Sequence, residues 1–291
     1  GDEPPSEAPV PLLPDLLQDD DQFQMLLTVL RVLLAKERYD EAEQLMQTSL
    51  SIKAGMDKNH RQQLKVLALD IQARKSDYVV ACETIRVACM QQPDSASLWN
   101  CFAHITTSSG GLNRHHKFIA RMRGLYPDNV PVAILLGHYH AMNSNWAAAL
   151  DQYSAAFKAT PTDPLVCLCV GLALLQHAMS RRITHREKGI VQAFAFLNRY
   201  AALRNCPQEA AYNIGRACHQ LGLNYLAVYH YEKALSLKVT AGAKLAGPEQ
   251  ARAAYDACDL RREIAHNLSL VYTASGALGL ARDVLRKHAT V

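Results

Sequence analysis

The side chains best suited to chemistry are eight cysteines and twelve histidines, because thiolates and imidazoles bind metals and act as nucleophiles or bases. Their spacing does not favour any of these roles. His138 and His140 lie two residues apart in a helical segment, as do Cys167 and Cys169. Residues at that spacing point to different faces of a helix, so neither pair can chelate one metal as an i, i+4 pair could. The sequence therefore predicts no metal site.

Motifs of catalysis are also missing from the sequence. It contains no glycine-rich phosphate loop, no nucleophile elbow, no HExxH and no repeated CxxC. The adjacent His115 and His116 are expected at the surface. Most cysteines lie beside Ala, Val and Leu in helical patterns, which indicates reduced core residues of an intracellular protein. We therefore expect no enzyme activity and no cofactor.

The elements that carry these residues follow a helix-pair pattern with a period of 34 residues. Pro93, Pro127 and Pro161 are spaced by that interval, and each ends a unit because proline cannot continue a helix. Within the unit that begins at 130, positions 8, 20, 24, 27 and 32 are Gly137, Ala149, Tyr153, Ala156 and Pro161. Small, small, aromatic, small and proline at these positions are typical of tetratricopeptide repeats.

The period lengthens in three places without losing its phase. The units begin near residues 23, 62, 96, 130, 164, 208 and 262, with about five, ten and twenty extra residues in the first, fifth and sixth of them. In the fifth unit the small residue suited to position 20 is Ala193, which lies ten residues after the place where the strict period would put it. The sequence thus predicts an all-α superhelical solenoid of tetratricopeptide repeats over residues 22–291. It has about seven helix pairs, and its fifth and sixth repeats are expanded.

Charge is distributed unevenly along the chain. Residues 1–21 hold seven of the 27 acidic residues, five of the twelve prolines and no Lys or Arg. They are predicted to be an acidic, disordered linker, although Leu12, Leu13, Leu16 and Leu17 could dock on the array. Without them the formal charge rises from +4 to near +11, which could attract an acidic segment or nucleic acid. The sequence contains no run of eighteen apolar residues, so it predicts no membrane span.

Two segments concentrate the positive charge. One lies in the second helix of the third repeat, on its convex side, where a solvated surface is the expected role; it comprises Arg114, His115, His116, Lys117, Arg121 and Arg123. The other lies in the ten-residue insertion of the fifth repeat, where we expect a partner contact; it comprises Arg181, Arg182, His185, Arg186 and Lys188. Neither has the interleaved aromatics of a single-strand reader.

A tetratricopeptide array offers a concave groove lined by the first helix of each pair. Positions 2, 5, 9 and 12 face inward in this family, which predicts a groove that is apolar in the middle and weakly basic at either end. It suits an extended or helical peptide with acidic flanks and an apolar anchor. The groove residues are Gln63, Val66, Asp70, Asn100, His104, Ile134, His138, Leu165, Leu168, Leu172, Leu175, Tyr212, Arg216, His219 and His266. Another part of the chain, such as an inserted helix, could cover the leucines instead.

The expanded repeats also carry a family resemblance. Two sequence segments occur together with the expanded fifth and sixth repeats. They are YNIGRACHQLGL, residues 212–223, and DLRREIAHNLSLVY, residues 259–272. Together they resemble the C-terminal tetratricopeptide array of a subunit of transcription factor IIIC, the assembly platform of RNA polymerase III initiation. The resemblance runs from about residue 130 to the end of the chain.

The resemblance implies a nuclear, non-enzymatic scaffold. Its partners would be other subunits of transcription factor IIIC, with components of transcription factor IIIB as further candidates and DNA contacted mainly through the complex. The acidic start would correspond to a linker to an N-terminal array outside this chain. The resemblance supplies no catalytic or binding residue. Two alternatives stay open, namely an adaptor of another complex and direct nucleic-acid contact through the basic insertion.

Overall fold

The computed structural model describes residues 19–51, 57–75, 78–108, 111–180, 184–237 and 258–289, and within them all regular structure is helical. Fourteen α-helices and one short 3-10 helix, Leu112–His115, are described. The α-helices are α1 Asp20–Ala35, α2 Tyr39–Ser51, α3 Lys58–Arg74, α4 Tyr78–Gln91, α5 Ala96–Ser108, α6 His116–Leu125, α7 Val130–Met142, α8 Trp146–Ala159, α9 Pro164–Ala178, α10 Arg186–Leu203, α11 Pro207–Gln220, α12 Asn224–Ser236, α13 Arg261–Ala274 and α14 Leu278–His288.

The helix boundaries follow the predicted period. The odd-numbered helices begin at residues 20, 58, 96, 130, 164, 207 and 261, within four residues of each predicted unit start. Where α9 begins, the Asp163 carboxylate accepts a hydrogen bond from the backbone N–H of Leu165, 2.8 Å away, and Pro164 occupies the first turn. An N-cap aspartate followed by proline in the first turn is a typical start of an α-helix. The all-α fold of tetratricopeptide type is confirmed.

The chain folds as two compact units, Gly1–Leu135 and Leu136–Val291. In the first, Phe23, Leu30, Met46, Leu64 and Ile71 are buried against one another. The second unit has a separate core, also made of apolar side chains from neighbouring helices. Its buried residues include Leu197, Ala227, Tyr231, Ile264 and Leu268. Each unit therefore buries its own apolar faces by stacking neighbouring helices.

Glycine at position 8 is required by the aromatic ring at position 24. A Cβ atom on Gly137 would lie 2.3 Å from Cε1 of Tyr153, and a Cβ on Gly215 would lie 2.8 Å from Cε1 of Tyr231. Both tyrosines are buried, so their rings cannot move aside cheaply. The same contact thus closes two helix pairs that are two repeats apart in the sequence.

The fifth repeat absorbs its extra residues partly by lengthening its helices. α9 has 15 residues and α10 has 18, and α10 begins at Arg186, inside the predicted insertion. A Cβ on Gly171 would lie 3.2 Å from the carbonyl oxygen of Ala193 and 3.1 Å from Cγ of Leu197. Ala193 therefore occupies position 20 after a delay of ten residues, as predicted, and Leu197 takes position 24.

Several predicted features lie outside the described residues. They are the acidic segment up to residue 18, Arg181 and Arg182 of the basic insertion, and the twenty extra residues of the sixth repeat around 241–248. Of the helices that are described, none combines the length and the apolar character needed to cross a bilayer.

Candidate functional site

The second unit contains a cavity of about 250 Å³, lined by α8 and by α7, α9 and α11. The first helix of each pair, such as α7, α9 and α11, is called an inner helix. The cavity brings together three residues predicted for the groove, His138, Leu172 and Arg216. The rest of its lining is Ala141, Trp146, Tyr153, Cys169, Ala173, Gln176, Asn213 and Gln220. Three of the residues predicted for the groove thus line one cavity, and most of its other lining residues were not named from the sequence.

Two of the missed residues follow from helix geometry. Gln176 lies four residues after Leu172, and Gln220 four after Arg216, so each pair shares one face of its helix. The side-chain amide of Gln176 donates a hydrogen bond from Nε2 to Oε1 of Gln220 over 3.0 Å. This bond joins α9 to α11 at the edge of the cavity that both residues line.

The wall formed by α7 and α8 is uncharged. Nδ1 of His138 lies 2.7 Å from the Tyr153 hydroxyl oxygen, and the two groups share a hydrogen bond. Burial lowers the pKa of the His138 imidazole below its ordinary value and raises the pKa of the Tyr153 hydroxyl. Both side chains are therefore neutral near pH 7, and His138 contributes polarity without charge.

Arg216 supplies the positive charge of this surface. Its side chain is exposed, and its guanidinium carbon lies 5.7 Å from the centre of the Tyr212 ring. The Tyr212 hydroxyl in turn accepts a hydrogen bond from Nδ2 of Asn267, 2.9 Å away on α13. Among the described residues no carboxylate lies within 4 Å of the Arg216 guanidinium. Tyr212 thus orients a cation that has no acidic partner in that part of the chain.

The predicted row of leucines on α9 divides into three environments. Leu165 is 49% exposed, Leu168 and Leu172 are half-buried, and Leu175 is fully buried in the core of the second unit. The prediction for Leu175 is wrong, because position 12 of this helix faces the paired helix rather than the groove. His219, at the same position of α11, likewise points to its pair, with Nδ1 3.4 Å from the Tyr231 hydroxyl.

On the last inner helix, α13, the sequence identified His266 and missed Leu270. His266 is exposed. Leu270 occupies position 9 of the repeat that begins at 262, the same position as Leu172 and Arg216, and its side chain is 47% exposed. Position 9 was one of the four positions predicted to face inward, so the same rule that named His266 at position 5 would also have named Leu270.

The first unit has a cavity of its own. Asn100 and His104 line a cavity of about 900 Å³ together with two other predicted residues, Gln63 and Val66. The remaining lining is Leu27, Arg31, Asn59, Leu67, Ser97 and Cys101, from helices α1, α3 and α5. The side chain of Asp70, also predicted there, lies outside the described part of the structure.

The basic insertion leads into α10, with His185 just before the helix. Arg186 and Lys188 lie in the first turn of α10, and both are exposed. Nε of Arg186 donates a hydrogen bond to the backbone oxygen of Ala178, the last residue of α9, over 3.2 Å. Arg186 therefore joins two helices, a structural role that the expectation of a partner contact did not include.

His115 departs from its predicted place at the surface. His115 is only 6% exposed, and its Nδ1 is hydrogen-bonded to the guanidinium of Arg86. Its Nε2 lies 3.9 Å from the Cys82 sulfur. Burial, with the positive charges of Arg86 and Arg114, lowers the pKa of His115. The 3-10 turn that precedes α6 directs this ring inward, which the bare sequence did not reveal.

The cysteines are placed as packing residues. Cys82, Cys89, Cys167, Cys169 and Cys218 are buried. Burial raises the pKa of the thiols of Cys89 and Cys169 to about 12, so these two are protonated at neutral pH. Within the described residues no group of three or more His, Cys, Asp and Glu side chains is arranged to hold a metal ion.

Comparison with other sequences identifies relatives. No family model matches the chain. It is 36% identical over 283 residues to "General transcription factor 3C polypeptide 3" of Homo sapiens, an alignment that covers 96% of this chain and 31% of the relative. It is 39% identical over 165 residues to "Transcription factor tau subunit sfc4" of Schizosaccharomyces pombe, covering 54% and 16%. It is 29% identical over 150 residues to "Transcription factor tau 131 kDa subunit" of Saccharomyces cerevisiae, covering 50% and 13%. The chain spans less than a third of the length of these curated relatives.

Solved structures share the fold. A tetratricopeptide repeat protein from Parabacteroides merdae superimposes with a TM-score of 0.52 at 10% identity, over 92% of this chain and 99% of its own. The hetero-tetramer Cut9-Hcn1 of the APC/C gives a TM-score of 0.51 at 15% identity, over 94% and 46%. These likenesses support the tetratricopeptide architecture and, at such identities, nothing about function.

Proposed function

Because this chain is homologous along nearly all of its length to the tetratricopeptide-repeat subunit of transcription factor IIIC, we propose that it is a non-enzymatic scaffold subunit of that complex. The observation that carries the proposal is the 36% identity over 96% of the chain. The helix-pair fold supports it, since stacked repeats expose continuous binding surfaces. The chain would act in the nucleus, on RNA polymerase III transcription of transfer RNA and related genes.

The partners follow from the same premise. Other subunits of transcription factor IIIC would bind the array, and through them the chain would help to hold the promoter-binding complex together. Support for recruitment of transcription factor IIIB, and contact with DNA mainly through the complex, are the finer parts of this proposal.

Affinity purification from nuclear extract tests the proposal. The tagged chain is expected to recover other subunits of transcription factor IIIC, identified by mass spectrometry, and Gly215→Leu should recover few of them because it drives a side chain into the Tyr231 ring. Gly279, whose added Cβ would meet nothing within 4 Å, provides the matched control as Gly279→Leu. Recovery of no such subunit by the unaltered chain would refute the assignment.

A second candidate is an adaptor of another complex that binds an extended peptide in its groove. The cavity lined by His138, Leu172 and Arg216 favours it, because an uncharged wall beside a cation that has no carboxylate within 4 Å among the described residues suits a peptide of mixed character. The same purification separates the two candidates. An adaptor would recover a consistent set of proteins that contains no subunit of transcription factor IIIC.

Direct nucleic-acid contact through the basic insertion is the remaining alternative, and salt separates it from peptide binding. Phosphate contacts release counterions, so DNA binding through the insertion should weaken steeply between about 50 and 200 mM salt. Changing Arg181, Arg182 and Lys188 to Glu should then abolish it. If these changes leave DNA binding of the chain intact, the insertion is not a nucleic-acid site.

A further inference from the structure

The residues at position 9 of the three last inner helices form an ordered series. Leu172 on α9, Arg216 on α11 and Leu270 on α13 occupy it in turn. Leu172 and Arg216 line the same cavity, and Leu270 presents its side chain on the next helix. The repeat register therefore places an apolar, a cationic and an apolar residue in turn along the stacked helices.

Arg216, the cation in the middle of this series, is oriented by its neighbours and can bind an anion. The Tyr212 ring lies 5.7 Å from the Arg216 guanidinium carbon, and Asn267 fixes the Tyr212 hydroxyl from α13. None of the residues that line the cavity carries a carboxylate. Glu263 on α13 acts on the neighbouring Tyr212, yet it makes no ion pair with Arg216 within 4 Å. An arginine so placed gains from a carboxylate supplied by a partner.

Helix spacing sets the spacing of the partner's residues. Packed helices lie about 8–10 Å apart, and an extended peptide advances about 3.3 Å per residue. A peptide that crosses the inner helices therefore moves about three residues from one helix to the next. A peptide in a helical conformation would need about six residues for the same distance, at a rise of about 1.5 Å per residue.

We propose that this surface binds an extended segment of a partner protein in which one acidic residue is flanked, about three positions away on each side, by an apolar residue. The acidic side chain pairs with Arg216, while the apolar residues contact Leu172 and Leu270. The Gln176 and Gln220 amides, already joined to each other at the cavity edge, border the carboxylate position. This inference rests on the proposed scaffold function and specifies the chemistry of the partner segment.

Selection from a phage-displayed library of random twelve-residue peptides tests the inference on the full chain. The enriched peptides should share an acidic residue with apolar residues about three positions before and after it. With Arg216→Glu, Lys or Arg should replace the acidic residue. Arg282→Glu is the matched control, since Arg282 is an exposed arginine on α14, outside the cavity, and it should leave the selected pattern unchanged.

A direct binding measurement completes the test. A fluorescent peptide of the selected sequence should bind Arg216→Glu at least about tenfold more weakly than the Arg282→Glu control, as expected for loss of a charged hydrogen bond. Leu270→Asp should weaken apolar selection on one side only. Circular dichroism and the urea midpoint of each variant show that it is folded.

Selection of no peptide, or of the same acidic pattern by Arg216→Glu, would overturn the inference. Either result is separable from failure of the scaffold assignment, which is decided by the subunits recovered from nuclear extract. A chain that recovers those subunits yet selects no acidic pattern is a scaffold that uses a different surface.

Discussion

At Gly137 a single missing carbon decides whether α7 and α8 can approach. We expect Gly137→Ala to destabilise the protein by about 1–3 kcal/mol, because the new Cβ would overlap the buried Tyr153 ring. Gly124→Ala is the control, since it adds a methyl group to α6 with nothing within 4 Å and should stabilise slightly by reducing chain entropy. Urea denaturation of both variants measures the difference, and equal midpoints would contradict the packing described.

Glu209 joins two helices through its carboxylate. Its Oε1 accepts a hydrogen bond from the Tyr200 hydroxyl over 2.7 Å, and its Oε2 accepts one from Nε of Arg204 over 2.9 Å. Burial alone would raise the pKa of Glu209, but the hydrogen bonds from Arg204 and Tyr200 hold it below its ordinary value. The carboxylate therefore connects the end of α10 to the start of α11 in its charged form.

Acid should remove this contribution. We expect Glu209→Gln to cost about 1–2 kcal/mol at neutral pH, where the charged hydrogen bonds are intact. Because the pKa is lowered in the folded state, the stabilisation is complete above the unfolded value of about 4.3 and is lost as the pH falls below it. Urea midpoints of both proteins between pH 3 and pH 7 should therefore converge at the acid end. A constant difference would show that the charge of Glu209 is unimportant.

Among the elements, α9 and α10 make the longest helix pair described, and Arg186 secures their junction. Arg186→Ala should destabilise the protein by about 1 kcal/mol through the lost bond to the Ala178 oxygen, whereas Lys188→Ala, two residues further along the helix and exposed, should change little. Thermal unfolding of the two variants gives the comparison. An equal loss in both would contradict the structural role of Arg186.

Helix boundaries were largely predictable, because proline ends a helix and small residues lie where two helices approach closely. Pro93, Pro127 and Pro161 placed the ends of three units, and Ala193 recovered the phase after the insertion. The groove was less predictable at single positions. Leu175 was assigned to it and is buried, while the neighbouring Gln176 lines the cavity, because a one-residue step rotates a side chain by about 100° around a helix of 3.6 residues per turn. A fixed template cannot resolve that step.

Other misses have a different physical origin. His115 is buried because a 3-10 turn leads into α6, and a charged, aromatic-poor stretch gave no sign of that turn. Arg186 bonds to a backbone oxygen, an acceptor that carries no side-chain signal in the sequence. The contacts that sequence reasoning missed are therefore those that depend on local backbone geometry rather than on residue type.

For the molecule as a whole, the formal charge of +4 conceals an opposition between its acidic start and its basic remainder. Replacing Asp2, Glu3, Glu7 and Asp15 by their amides would raise the charge to +8. We expect this variant to elute later from heparin at low salt, with a difference that shrinks as salt screens the charges. A charge-neutral change in the same segment, Pro4→Ala, serves as the control. Unchanged elution of the amide variant would mean that the acidic segment does not offset the basic surface.

The buried thiols have a consequence for measuring stability region by region. A protonated thiol alkylates slowly, so Cys89 in the first unit and Cys169 in the second should react with iodoacetamide only when their surroundings open. Cys258, which is exposed, should react at once. Mass spectrometry of alkylated peptides over time would then give the opening free energy of each unit separately, from residues that the native protein already contains.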